Sequence, residues 1–254
     1  MDDDRLRAAI EGSTAFLRMI GTAGKDARLL EFEGVLATIV PLSPDRSVVN
    51  AVIYEQPQLL EAAYPQLEER YADAGIGAWT VWVPPSDGRA REFLSDRGHV
   101  LDAEPEMMAM SPDGVQRPAP DEDVRWSRGA DHALVGAIND SAYGYERSFE
   151  RVLGAVPDGV GEWYVAYMGE EPAAVLITLD EADNCDVDMV ATLPAAQGRG
   201  LATFLMRHAL VDAAERGRET ATLVATRAGR PVYERLGFRP FGSIQMWERR
   251  RAQP

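Results

Sequence analysis

Asp186-Val-Asp-Met-Val-Ala-Thr-Leu-Pro-Ala-Ala-Gln-Gly-Arg-Gly-Leu-Ala202 decides how this chain is read. From Asp186 to Thr192 carboxylate and apolar side chains alternate, the pattern of a strand, and Leu193-Pro194 ends it because proline cannot donate to a ladder. Gln197-Gly198-Arg199-Gly200-Leu201-Ala202 then turns the chain into a long helix reaching Gly217. Glycines at a helix entrance allow backbone N–H groups to approach an anion without Cβ atoms in the way, so the turn reads as a diphosphate cradle. Ala202, Met206, Ala209, Leu210 and Ala213 form an apolar face that can pack on a sheet, and His208, Asp212, Glu215 and Arg216 form a polar one, on which His208 is expected to be solvated.

Working outward, 254 residues with 46% hydrophobic content suffice for one large domain or two average ones. The charge of −15 is spread over both halves. Such a field repels phosphate backbones and anionic lipid, so neither nucleic acid nor membrane is expected as a partner, whereas a cationic substrate is favoured. A lone cysteine, Cys185, excludes an internal disulfide, and the three scattered histidines offer no metal-ligand spacing, so no metal is expected. The acidic opening Met1-Asp-Asp-Asp4 is unlike a signal peptide and no apolar run could span a bilayer, which together predict a cytoplasmic protein.

Along the first half a helix is expected over residues 7 to 20 with a break at Gly12-Ser13. Strands follow at 29–32, 35–40 and 47–54, a helix from Pro57 in which Pro65 could introduce a kink, a strand at 78–83, a short helix at 89–96 and a hairpin over 98–110. Ser111 to Glu122, rich in proline and acid, has the composition of a tether. Beyond it the order recurs: helices near 131–143 and 146–155, strands at 163–167, 173–179 and 186–192, the long helix, a strand at 220–226, a short helix at 231–236 and a last hairpin over 238–249. The two halves therefore look like a duplication, with Asp96-Arg97-Gly98-His99 in the place of Arg235-Leu236-Gly237-Phe238. The first copy lacks the chemistry: only Glu55-Gln56 separates strand from helix where the second has its glycine turn, and Leu94 stands where the second has Tyr233.

Three readings compete for the turn. A P-loop needs a lysine after its second glycine, and the second half has none. A Rossmann fingerprint fits Gly198-x-Gly200-x-x-Thr203 with Glu219 downstream, but too few βα units follow. Gln197-x-x-Gly200-x-Ala202 taken with Tyr233-Glu-Arg-Leu-Gly237-Phe238 instead resembles the GNAT superfamily of N-acetyltransferases, and residues 124 to 250 resemble it throughout in element order. This implies an α/β fold of the α+β type with two GNAT-like domains, each a mixed, mostly antiparallel sheet flanked by helices: 1–115 degenerate, 116–123 a linker, 124–254 catalytic.

The resemblance further implies acetyl-CoA as co-substrate. Gln197, Gly198, Arg199, Gly200, Leu201, Ala202 and Thr203 would cradle its pyrophosphate. The flanking strands would splay, so that the pantetheine arm pairs with backbone at Val190, Ala191 and Thr192. A lysine-like amine with pKa about 10.4 is largely protonated at pH 7, a penalty of about 4 to 5 kcal/mol, so transfer needs a base or a water relay. Asp186 is the first candidate and Asp188 the second; both are equally readable as carboxylates on a half-solvated strand. Tyr233 would protonate the departing thiolate, or else merely anchor the last helix. Cys185 reads as a plain strand thiol, since the neighbouring carboxylate raises its pKa. Tyr143, Tyr145, Trp163 and Tyr164 fall where the family shapes its acceptor pocket, and are as readable as core aromatics. The acceptor would be a small-molecule or peptide amine and the protein a monomer or homodimer. The rival readings are a non-catalytic acyl-CoA-binding regulator and a dinucleotide-dependent oxidoreductase.

Overall fold

The computed structural model describes residues 2–119 and 122–251. Met1 of the acidic opening, and Pro120 and Asp121 of the expected linker, lie outside the described residues. Two mixed sheets form, each flanked by helices and each with one parallel pair among its strands. The chain separates into two compact units, one of Met1–Phe16 with Glu106–Gly242 and the other of Leu17–Pro105 with Ser243–Pro254.

The six-stranded sheet has the order β1 (Arg28–Phe32), β2 (Val35–Ile39), β3 (Ala51–Tyr54), β4 (Ala78–Val83), β13 (Gln245–Arg250), β5 (Val100–Ala103). On it lies α2 (Pro57–Asp73), whose Leu60, Tyr64, Leu67 and Tyr71 pack against Val35, Ile39, Trp79 and Val81. Each such apolar side chain contributes about 1.5–3 kcal/mol on burial. The helix runs on through Pro65. The expected third strand starts late, because Ser47–Val49 forms a single 3-10 turn. Asn50 fixes that turn: its Oδ1 accepts from Val40 N at 2.7 Å, and its Nδ2 donates to the Ser43 and Arg46 carbonyls at 2.9 and 3.1 Å.

The seven-stranded sheet has the order β12 (Arg239–Ser243), β6 (Glu106–Met110), β11 (Thr220–Ala225), β10 (Asn184–Thr192), β9 (Glu171–Glu181), β8 (Glu162–Met168), β7 (Val124–Arg128). Its helices are α4 (His132–Tyr143), α5 (Ser148–Leu153), α6 (Leu201–Glu215) and α7 (Arg230–Leu236). Leu205, Met206, Ala209 and Leu210 of α6 bury against Cys185, Val187 and Leu223.

Neither expected hairpin forms. β6 leaves β5 to pair antiparallel with β11, and β13 leaves β12 to lie between β4 and β5. Burial explains the exchange. Met107, Met108 and Ala109 are all buried, so β6 needs cover on both faces and takes an interior place, whereas β5 exposes Val100 and Leu101 and sits at an edge. The sheets therefore do not divide at the 116–123 segment. That segment is also more than a tether: Arg117 pairs with Asp212 at 2.7 Å and Glu215 at 2.8 Å, and Arg207 donates to the Gln116 carbonyl, pinning it along α6.

The break expected at Gly12 is absent; α1 (Asp2–Ile20) is continuous. Gly12 serves close approach instead, since a Cβ built there would stand 2.5 Å from the Asp186 carboxyl carbon. Gly136 plays a similar part between α4 and α5, where a Cβ would run into backbone at Phe149 and Glu150. Gly136→Ala should therefore destabilise the protein by about 1–3 kcal/mol in urea unfolding, although alanine is otherwise the better helix former by about 1 kcal/mol.

Candidate active site

β10 and β11 run parallel for three registered pairs, Asn184 with Thr220, Cys185 with Ala221 and Asp186 with Thr222, and then part. The separation begins at a bulge. β10 keeps its antiparallel ladder with β9, but the register slips between Asp188 and Ala191, and Met189 takes a positive φ of 54°. A bulge bends its strand and increases local twist, which carries Val190 to Thr192 away from β11. The gap opens into a cleft of about 900 Å³.

Val190, Ala191 and Thr192 form one wall of the cleft and Gln197, Gly198, Gly200, Leu201, Ala202 and Thr203 another. Arg199 is exposed and stands outside the lining set. Gly198 and Gly200 have φ of 77° and 78°, and a Cβ on either would meet nothing within 4 Å. Conformation, not packing, demands glycine there. Gly200 caps α6 without any side-chain hydrogen bond, so the amides of Leu201, Ala202 and Thr203 begin the helix with no intrahelical acceptor. Gln197 ties the turn to the strand end through its Nε2, which donates to the Thr192 carbonyl at 3.3 Å.

Tyr233 of α7 lines the cleft and is only 8% exposed. Gly229 makes room for it: a Cβ there would lie 2.8 Å from the Tyr233 ring. Burial pushes the Tyr233 hydroxyl well above its usual range, with Tyr143 and Asp188 adding to the effect. The phenol therefore stays protonated at neutral pH, whereas neither Asp186 nor Asp188 is among the residues that line the cleft. Tyr143 also reaches the cleft, where its hydroxyl donates to the Val190 carbonyl at 3.1 Å. Sequence reasoning missed Pro118, Phe204, Arg207, Thr226, Ala228 and Val232 on the walls. The helical period could have found Phe204 and Arg207 on the first turns of α6, but nothing local marks Pro118.

Asp186 and Asp188 share one face of β10, on which Asp186 is not half-solvated. Asp186 is 6% exposed, and its Oδ1 accepts from Thr222 Oγ1 at 2.7 Å. Asp188 is half-buried, and its Oδ2 is enclosed without a partner. Burial, then the Asp188 charge, raises Asp186 well above the carboxylate range, and burial raises Asp188 to about 6. Cys185, on the opposite face, is fully buried with its pKa pushed up chiefly by burial, as expected of a plain strand thiol.

The polar face of α6 departs from expectation. His208 is 6% exposed and stacks on Trp126 with ring centroids 3.9 Å apart, while burial and Arg117 lower its pKa. Asp212, 5% exposed, accepts from the Tyr164 hydroxyl at 3.0 Å and pairs with Arg117 and Arg128. Trp163 and Tyr164 are buried on β8, so they belong to the core.

Strand order, parting strands and an uncapped helix after a glycine turn together point to one known architecture. The fold is the GNAT fold. Residues 159–240 match the family model described as acetyltransferase (GNAT) domain. A GCN5-related N-acetyltransferase from Kribbella flavida superposes with a TM-score of 0.68 at 18% identity, covering 95% of this chain and 94% of that one. A GCN5-related N-acetyltransferase from Sphaerobacter thermophilus gives 0.61 at 17% identity over 96% and 93%. A tandem GNAT protein from the clavulanic acid biosynthesis pathway gives 0.57 at 14% over 96% of each chain. No curated protein sequence matches. No described helix is long and apolar enough to cross a membrane.

The six-stranded sheet also holds one parallel pair. β3 and β4 pair in parallel at two positions, Ala51 with Thr80 and Val52 with Val81. Beyond them the Tyr54 hydroxyl donates to Asp87 at 2.7 Å, Asp87 caps α3 (Gly88–Ser95) through Ala90 N at 3.0 Å, and Arg89 grips Glu61 of α2 with two bonds of 2.6 and 2.7 Å.

The carboxyl pair has a consequence for stability. A raised folded-state pKa favours the protonated form, so its contribution is full below pH 4 and is lost as pH rises through about 6. Wild-type protein should lose urea midpoint between pH 4 and pH 7.5 relative to Asp188→Asn, whose curve lacks that component.

Proposed function

We propose that this chain is an N-acetyltransferase that moves an acetyl group directly from acetyl-CoA to a primary amine. The observation that carries the reading is the cleft itself, in which two strands part after a short parallel ladder and the walls include the glycine turn and the uncapped start of α6. Those residues fit the ligand, because the helix N-terminus favours a pyrophosphate and a strand edge at Val190 to Thr192 that no longer registers with β11 favours an extended amide chain. Acetyl-CoA would supply the thioester. This chain's residues do the rest: the β10 backbone orients the carbonyl and stabilises its developing charge, Asp188 takes the ammonium proton, and Tyr233 holds a proton for the leaving sulfur.

Asp188 is better suited than Asp186 to act as base. It is less covered, it lies nearer the bulge, and with a pKa about 6 it is ionised at neutral pH. The acidic surface favours a cationic acceptor. The six-stranded sheet is read as a degenerate GNAT-like copy, in keeping with its parallel pair and its lack of a glycine turn between Tyr54 and Pro57. A cytoplasmic setting agrees with the single buried thiol.

Acetyl-CoA at about a hundred times its Kd should add about 2.7 kcal/mol to stability in a thermal-shift panel, while a nicotinamide dinucleotide should add none. Amines should then release free thiol. A shift without thiol release across an amine library would favour the regulator. Tyr233→Phe should lower kcat by roughly 10²-fold or more with CoA Kd changed by less than about twofold, and an undiminished kcat would remove the tyrosine from the chemistry.

A further inference from the structure

The bulge that parts β10 from β11 is held from outside the sheet. Between the pairs Asp188 with Ile177 and Ala191 with Val175, Met189 and Val190 together stand opposite one residue of β9, Leu176. A bulge of this kind takes backbone groups out of the regular ladder. Here it also carries the φ of 54° at Met189, a conformation that glycine or asparagine adopts more readily than methionine. A partner for this stretch comes from α4, where the Tyr143 hydroxyl donates to the Val190 carbonyl at 3.1 Å.

The corner between α4 and α5 fixes the place of that phenol. Tyr143 is the last residue of α4. Gly144, at a φ of 73°, turns the chain there, and the amides of Gly144 and Tyr145 both donate to the Asp140 carbonyl. The Asp140 carboxylate is 3% exposed and accepts from Phe149 N at 3.0 Å and Glu150 N at 2.9 Å, which ties the start of α5 to α4. On this corner the Tyr145 ring stacks with Tyr143 at a centroid distance of 6.0 Å and meets the buried Phe149 at 5.8 Å. Tyr143 and Val190 both line the cleft, so the hydrogen bond stands in its wall.

We infer that Tyr143 is a positioning residue that acts through the bulge: its hydroxyl holds the Val190 carbonyl, keeps β10 turned from β11, and so sets the strand edge on which an acyl donor's amide arm would pair. This deepens the reading of the cleft as an acyl-CoA site and rests on it. Regular pairing would draw the Val190 carbonyl into a ladder and away from the phenol, so the bond favours the bulged form over a flattened one. The single hydroxyl proton is committed to that carbonyl, which gives Tyr143 a different part from Tyr233.

Three measurements test it. In protein without ligand, Tyr143→Phe removes only the hydroxyl and should speed amide hydrogen exchange at Ala191 to Leu193 by about tenfold, with the amides of α6 unchanged. Unaltered exchange at those positions overturns the inference whatever the protein catalyses. In calorimetry with CoA the same variant should raise Kd by about fivefold to tenfold, because a smaller fraction of the protein then holds the competent strand edge. An unchanged Kd beside faster exchange would make the phenol a structural contact alone and overturn the positioning role. In the double variant Tyr143→Phe with Met189→Asn the bulge residue accepts positive φ more readily, so exchange and Kd should both return to within about twofold of wild type. Recovery of neither would show that the hydroxyl acts elsewhere than through the bulge. Faster exchange in protein that binds no CoA in either form would instead count against the acyl-CoA reading and leave the pinned bulge standing.

Discussion

Two neighbouring strands that share a short parallel ladder and are then forced apart create the whole candidate site. The force is local: one extra residue at Met189, held at positive φ, turns β10 away from β11 while its other edge stays paired to β9. Ladder groups left open on the β11 side would be costly in a sealed interior. Here they border a cleft, where a ligand backbone or water can satisfy them. The glycine turn and the α6 N-terminus then supply positive potential to the cleft, and the buried phenol of Tyr233 lines it as well.

Much of this could be read from the chain. Alternation at Asp186 to Thr192, the paired glycines and the Tyr233 to Phe238 spacing placed the strand, the turn into α6 and the last short helix, because each depends on local backbone requirements. The bulge could not be read, since Met189 has no residue-level mark of left-handed φ. The environment of Asp186 and Asp188 was equally hidden. Alternation says that two side chains share a face; it does not say whether water or a helix covers that face. Gly12 was misread for the same reason: glycine permits a break, and it also permits a helix to press against a carboxyl.

The strand exchange was the largest departure, and it too has a long-range cause. Two residues separate β5 from β6, a spacing typical of hairpins. The apolar run of β6 buries better in the middle of a sheet than at its margin, and only the competing positions in both sheets decide where it goes. His208 and Asp212 make the parallel point for helices, since Arg117 and Trp126 cover a face whose sequence is polar.

That exchange governs the order of assembly. During synthesis β1 to β4 leave the ribosome long before β13, yet β13 fills the place between β4 and β5. The six-stranded sheet thus waits with a vacant interior slot until almost the entire polypeptide has emerged. Its half-built edge is exposed in the meantime to pairing with other nascent chains. The first 105 residues expressed by themselves would carry the same deficit, since β13 comes from the far end of the chain.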